Sequence, residues 1–221
     1  MTASAFGGTA TGSCGAPSMS GAPHPGPGRA LTGHPLVHAA SDLARDLFES
    51  SDSTRWRHTQ GVALRAVDAA AVVPQADRPA LLAAAWLHDI GYTEPLRRSG
   101  FHPLDGAWFL QEQAWPAPVP GLVAHHSAAR YVAGVRGLSD RMDGFPAARY
   151  ACSLLADALT YADQTTGPDG RVMPVDARLA DMLRRHGPDS PNARAHEQRG
   201  PAVRAAVRRI EALLQSARWP A

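Results

Sequence analysis

The sequence predicts an all-α fold arranged as a single domain. Apolar residues recur at intervals of three and four along most of the chain after about residue 36, which is the spacing of a helix with one apolar face. No stretch alternates apolar and polar residues between hairpin turns, so we expect no β-sheet. A length of 221 residues suits one well-buried domain, and no internal repeat is visible.

The chain divides into an N-terminal arm and a helical domain. Residues 1–30 are rich in glycine, proline and small residues and contain almost nothing to bury, so we expect a disordered arm. The domain then covers residues 31–221, with its core at about 36–170 and a C-terminal helical extension at 171–221.

Proline and glycine residues separate the predicted helices. Pro74 ends the second helix, and aspartates at positions 77 and 176 are expected to cap later ones. Cys152 falls inside an apolar helix and is predicted to be a core residue. The helical segments are, in order, one from about Leu36, Thr54–Val73, Asp77 to near Gly91, Pro103–Leu110, a segment through His125, His126 and Ala133, Tyr150–Asp163, Ala177–Arg185 and Ala202–Ala217.

Composition excludes several classes of function. All 22 basic residues are arginine, which excludes a Schiff-base lysine, a lysine general base and the lysine of a phosphate-binding P-loop. A net charge of +2 gives no electrostatic footprint for nucleic acid unless the arginines cluster. Two cysteines cannot form a disulfide framework, and no apolar stretch approaches the roughly 20 residues that span a bilayer, so we expect a cytoplasmic protein without membrane contact.

The most specific motif is a histidine followed by an aspartate. His88 and Asp89 come directly after the apolar run Leu81–Leu87, so the pair is expected at the end of a buried helix. Burying an imidazole and a carboxylate without partners is costly, and either a bound cation or a mutual hydrogen bond would compensate. Further candidate ligands lie on both sides of the motif: His58, His102, His125, His126, Asp157 and Asp163.

This ordered set resembles the signature of the HD-domain superfamily of metal-dependent phosphohydrolases, over roughly residues 36–170. The matching positions are His58, His88 with Asp89, and one later aspartate. The resemblance implies an HD-domain-like helical bundle in which His88 and Asp89 are catalytic. Tyr92 departs from it, because many signalling members carry lysine at that position.

Two choices among the ligands follow from local sequence. Asp157 and Asp163 are six residues apart, about 600° around a helix, so only one can join the site, and Ala162–Asp163 better resembles the family's Ala-Asp terminus. His102 and one histidine of the His125–His126 pair resemble the extra histidines of members that bind two metals. Ser127 after His126 resembles the family's His-Ser/Thr pattern, which favours His126, and His125 is kept as a candidate.

The resemblance implies hydrolysis of a phosphate ester or anhydride in a small nucleotide-like or other phosphorylated metabolite. One or two divalent transition ions (Mn²⁺, Fe²⁺, Co²⁺ or Zn²⁺), with Asp89 bridging two of them, would generate a hydroxide that attacks phosphorus. Arg55, Arg57 and Arg130 lie near the motif and are candidates for binding substrate phosphate.

Two alternatives keep the same scaffold, a di-iron HD-type oxygenase and a non-catalytic HD regulatory module. The oligomeric state is open. The remaining histidines are predicted to be peripheral: His24, His34, His38, His186 and His196.

Overall fold

A computed structural model describes residues 33–48 and 53–218, and most of them are helical. The predicted arm, residues 1–30, lies outside this part of the chain. The α-helices are α1 (Pro35–Phe48), α2 (Ser53–Ala69), α3 (Arg78–Leu87), α4 (His102–Glu112), α5 (Pro118–His125), α6 (Ala129–Val135), α7 (Ala147–Tyr150), α8 (Leu154–Gln164), α9 (Val175–His186), α10 (Pro191–Arg194) and α11 (His196–Arg218).

The all-α prediction is confirmed. Within residues 33–48 and 53–218 there is no β-strand, and the only bridge pairing joins Thr166 to Val172. None of the helices in these ranges is both long and apolar enough to cross a membrane.

Helix α3 forms the centre of the bundle. Every residue of its Leu81–Ala85 stretch is buried, as is Leu87, because helices α1, α2, α5 and α8 pack around it. Trp56 on α2 and Trp86 on α3 pack with ring centroids 5.7 Å apart. A helix that is apolar on all sides is stable only inside a protein, so its C-terminal end delivers the next residues, His88 and Asp89, into the interior.

The predicted helix Tyr150–Asp163 begins later, as α8 at Leu154, because Tyr150 is the last residue of α7 and residues 151–153 are not helical. Ser153 is extended and its hydroxyl accepts a hydrogen bond from the amide of Ala156 (3.1 Å), so it caps a new helix. Cys152 lies in the break and is exposed, which makes its prediction as a core residue wrong. The two predicted aspartate caps are also wrong. The Asp77 side chain makes no capping hydrogen bond at the start of α3, and Asp176 lies inside the first turn of α9.

The C-terminal extension packs onto the core. Helix α11 runs along α8, and α9 joins α11 through a small apolar cluster of Leu179, Met182 and Val203. This arrangement brings the arginine-rich helices α9 and α11 to the side of the bundle where α8 ends.

Candidate metal centre

Six potential ligands from five segments converge at one end of α3. His58 lies on α2, His88 and Asp89 follow α3, His102 begins α4, His126 follows α5, and Asp163 lies in the last turn of α8. They form two groups, which we call site A (His58, His88, Asp163) and site B (Asp89, His102, His126), and in each group the ligand atoms lie within 4.8 Å of one another.

All three residues of site A are buried. The Nε2 atom of His58 lies 3.1 Å from Oδ1 of Asp163, and Nε2 of His88 lies 4.0 Å from the same oxygen. Two ligand atoms about 2.1 Å from a shared ion lie roughly 3.0–3.5 Å apart, at angles between octahedral and tetrahedral values. The His58–Asp163 distance falls in this range, and the His88–Asp163 distance exceeds it. The Nε2 atom of His88 is buried without a hydrogen-bond partner among the described residues, so it is available to bind a ligand.

Asp89, the carboxylate of site B, also faces site A. Oδ1 of Asp89 lies 3.3 Å from Nε2 of His102 and 3.8 Å from Nε2 of His126, whereas Oδ2 lies 3.5 Å from Nε2 of His88. The two imidazole nitrogens of site B are 3.2 Å apart. Each oxygen of Asp89 therefore faces a different site, which is the arrangement required of a bridging carboxylate.

The backbone fixes which ring nitrogen faces inward. Nδ1 of His58, His88 and His126 lies within hydrogen-bonding distance of the carbonyl oxygens of Gly167 (3.0 Å), Ala85 (2.8 Å) and Val123 (2.7 Å). A carbonyl only accepts, so each Nδ1 is the donor in these contacts and each Nε2 faces the centre. This is the usual pattern of an imidazole that ligates a metal.

Charge states in the centre also suit a metal. Burial lowers the pKa of His88 and lowers that of His102 to about 4, so both imidazoles are neutral at pH 7. Burial raises the pKa of Asp89, but the neighbouring His88, the Arg55 guanidinium and a hydrogen bond with His102 outweigh it and hold the pKa well below its usual range. Neutral histidines and ionised carboxylates are the forms that bind cations.

A second set of contacts orients Asp163. Its Oδ2 accepts hydrogen bonds from the Ser127 hydroxyl and from Nε2 of Gln164 (2.8 Å), which leaves Oδ1 facing site A. Ser127 and Ala128 both have left-handed backbones, with φ of 51° and 58°. Such strain costs of the order of 1 kcal/mol per non-glycine residue and is typical of functional sites. The residue after His126 is thereby turned toward Asp163.

The centre opens into a cavity of about 150 Å³. Arg55 lines it, and its Nη1 donates to Oδ2 of Asp89 at 2.5 Å while its guanidinium carbon lies 3.6 Å from the Tyr92 ring centroid. Another part of the lining comes from the C-terminal extension and includes Arg178, Arg185, His186, Asn192 and Arg199.

The predicted site residues fall into two sets. Ligands at positions 58, 88, 89, 102, 126 and 163 come together, as does Arg55. Asp157 lies away from both sites and pairs with Arg209 at 2.7 Å.

Three candidates lie elsewhere. His125 lies outside both sites, because it is the last residue of α5 and its Nε2 donates to the carbonyl of Phe145 (2.5 Å). Arg57 is exposed and does not line the cavity, since two residues of helix turn it about 200° from Arg55. Arg130 contacts Cys152 and Tyr131 and faces a different pocket.

Sequence reasoning missed the cavity-lining arginines of the C-terminal extension and placed His186 at the periphery, although it lines the cavity mouth. The seven-residue spacing of Arg178 and Arg185, which puts both on one side of α9, was the only local signal. No protein-family model, curated protein or solved structure matches this chain.

Proposed function

We propose that the protein is a metal-dependent phosphohydrolase that cleaves a phosphate ester or anhydride of a small phosphorylated metabolite. The observation that carries this proposal is the pairing of two adjoining His/Asp sites with a cavity lined by four arginines. The order of ligands also agrees with the resemblance to the HD-domain superfamily, which stays a prediction.

The residues suit a pair of divalent ions. Each site offers two imidazoles and a carboxylate, a mixed set that suits Mn²⁺, Fe²⁺, Co²⁺ or Zn²⁺ and leaves room for water and substrate oxygens. Two such ions would supply an activated water nucleophile and neutralise charge on the phosphoryl oxygens. Asp89 would hold the ions at a fixed separation because each of its oxygens faces one site.

The protein residues bind and orient the substrate. Arg55 holds a positive charge on the cavity wall beside Asp89, where it attracts the phosphoryl group. In the reaction, a bond forms between phosphorus and the oxygen of water, the bond from phosphorus to the leaving oxygen breaks, and the protons of that water leave with the two products. No covalent enzyme intermediate is needed.

The first test combines metal analysis with activity. The purified protein should contain a transition metal by elemental analysis, and with Mn²⁺ or Co²⁺ it should release phosphate from a panel of phosphate esters without O₂. Asp89→Asn should lose both metal and turnover. Asp157→Asn is the matched control, because this carboxylate lies outside both sites.

The outcomes separate the alternatives. An absolute need for iron with consumption of O₂ would indicate an oxygenase. Bound metal without turnover on any substrate would indicate a binding module. If the protein takes up no transition metal and Asp89→Asn behaves as the wild type, the proposal fails.

A further inference from the structure

A buried guanidinium without an anionic partner borders the cavity. Arg199, in the first turn of α11, is only 6% exposed. Its Nε donates to the carbonyl of Ser127 at 2.9 Å, but its Nη1 is buried without a hydrogen-bond partner, and no carboxylate of the described residues forms an ion pair with it. Burial lowers the pKa of Arg199, and the opposing charge of Asp163 does not outweigh it. Burying a charge without a partner is costly, and an anion placed beside the guanidinium would offset part of that cost.

Two arginines of α9 border the same cavity. Arg178 and Arg185 are seven residues apart and therefore lie on one side of the helix. The Arg178 side chain is 13% exposed, its Nη2 lies 3.7 Å from Oδ1 of Asp163, and its Nε is buried without a partner. Arg185 is 44% exposed and its Nε donates to Asp181 at 2.8 Å. Exposure falls from Arg185 through Arg178 to Arg199, and we call these three residues the arginine group.

The positive charges converge on one region. Partial burial and the charges of Arg185, Arg178, Arg199 and Arg55 lower the pKa of His186 at the cavity mouth. Of the cavity-lining residues, only Asp89 and Asp163 are acidic, and both are committed to the metal sites. Bound cations would make the excess of positive charge larger.

We propose that the substrate carries a second anionic group, a carboxylate or a phosphate, which binds the arginine group while the scissile phosphoryl group lies at sites A and B. This inference rests on the proposed function for the assignment of the scissile group. The cavity of about 150 Å³ is smaller than the roughly 300–1,000 Å³ of typical ligand sites. The part of the substrate that lies inside the cavity is therefore small, of the size of a short phosphorylated acid or a small bisphosphate.

Calorimetry on the Mn²⁺-loaded protein tests the second anion directly. The probes are alkylphosphonates of two to four carbons, compared with ω-phosphonoalkanoates and α,ω-diphosphonates of the same lengths. These probes are not hydrolysed, so the measurement needs no turnover. At one chain length or more, a doubly anionic probe should bind roughly tenfold to a hundredfold more tightly than its alkylphosphonate. The tighter of the two series identifies the second group as carboxylate or phosphate.

Variants assign that preference to residues. Arg178→Gln and Arg185→Gln should each reduce the preference for the second anion, with less effect on the alkylphosphonates. Arg199→Gln should abolish it, and Arg199→Lys should restore part of it if the fold is kept by circular dichroism. Arg184→Gln is the matched control, because Arg184 also pairs with Asp181 but is 74% exposed and does not line the cavity.

Two results would overturn the inference: no preference at any chain length in the wild type, or a preference that survives both Arg178→Gln and Arg185→Gln. Failure of the proposed function would look different, since the arginine-dependent preference would persist while no phosphate ester was hydrolysed. Conversely, suppose that the wild type and all variants hydrolysed alkyl phosphates and phosphorylated acids equally well. That result would contradict the second anionic group, whereas the proposed hydrolase activity would stand.

Discussion

Tyr92 lies flat against His102, with ring centroids 3.8 Å apart and planes inclined by 16°. The Arg55 guanidinium lies 3.6 Å from the same tyrosine ring, and one face cannot hold both groups at these distances, so Tyr92 is the middle layer of a stack. The stack connects a ligand of site B to the arginine that pairs with Asp89. Tyr92 therefore positions two groups of the centre.

We expect Tyr92→Ala to weaken metal binding at site B by about tenfold, the lower end of the effect typical of residues that orient metal ligands. Tyr92→Phe keeps both stacked faces and should bind metal as the wild type does. Titration with Co²⁺, followed by absorbance, measures both ions. If Tyr92→Ala bound the ion at site B with wild-type affinity, the stack would not orient His102.

Gly91 permits the close approach of the turn after α3 to the start of α4. A Cβ at this position would lie 2.1 Å from the carbonyl oxygen of His102 and 2.6 Å from the amide nitrogen of Gly106. Gly91→Ala should lower the free energy of unfolding by about 1–3 kcal/mol, as overpacking does. Urea denaturation measures it, with Gly144→Ala as control because nothing lies within 4 Å of a Cβ there. Equal losses in the two variants would contradict the steric argument.

Asp105 anchors the loop before His102. It is fully buried and accepts hydrogen bonds from the Ser99 amide (2.8 Å), the Ser99 hydroxyl (2.6 Å) and the Gly100 amide (3.0 Å). Asp105→Ala leaves these donors unpaired and should destabilise the protein by about 3 kcal/mol. The exposed Asp46 provides the comparison, since Asp46→Ala should change the unfolding free energy by less than about 0.5 kcal/mol. A small effect in both variants would mean that the loop is held by other contacts.

Removal of metal should lower thermal stability, because a ligand of the folded state stabilises it. At metal concentrations about 100-fold above the dissociation constant, chelation should lower Tm by about 5–10 °C. Asp157→Asn should respond to the chelator as the wild type does, whereas a double variant, Asp89→Asn with Asp163→Asn, should not respond. Differential scanning calorimetry with and without chelator gives the comparison. An unchanged wild-type Tm would argue against a resident metal.

The spacing of apolar residues was sufficient to predict the central helix α3 and the burial of His88 and Asp89 after it. An apolar run such as Leu81–Leu87 is stable only inside a protein, so the polar pair after it had to lie in the interior. The choice between His125 and His126 could not be made in this way, because α5 ends at His125 and helical geometry does not predict the direction of the next side chain.

The arginines that line the cavity could not be predicted from the local sequence. Proximity to the motif favoured Arg57 and Arg130, yet both point elsewhere. Helices α9 and α11 are rich in arginine and resemble solvent-facing helices, so nothing local distinguishes Arg199 from its exposed neighbours. Only the packing of α11 along α8 brings that side chain to the cavity.

The contact between His58 and Asp163 joins residues 105 positions apart. Closing so long a loop has a large entropic cost, so we expect site A to form late in folding, after the bundle has brought α2 and α8 together. A metal that binds only the completed site would leave the folding rate nearly unchanged and slow unfolding instead. Metal bound at sites A and B would then stabilise the folded bundle against unfolding without directing how the bundle assembles.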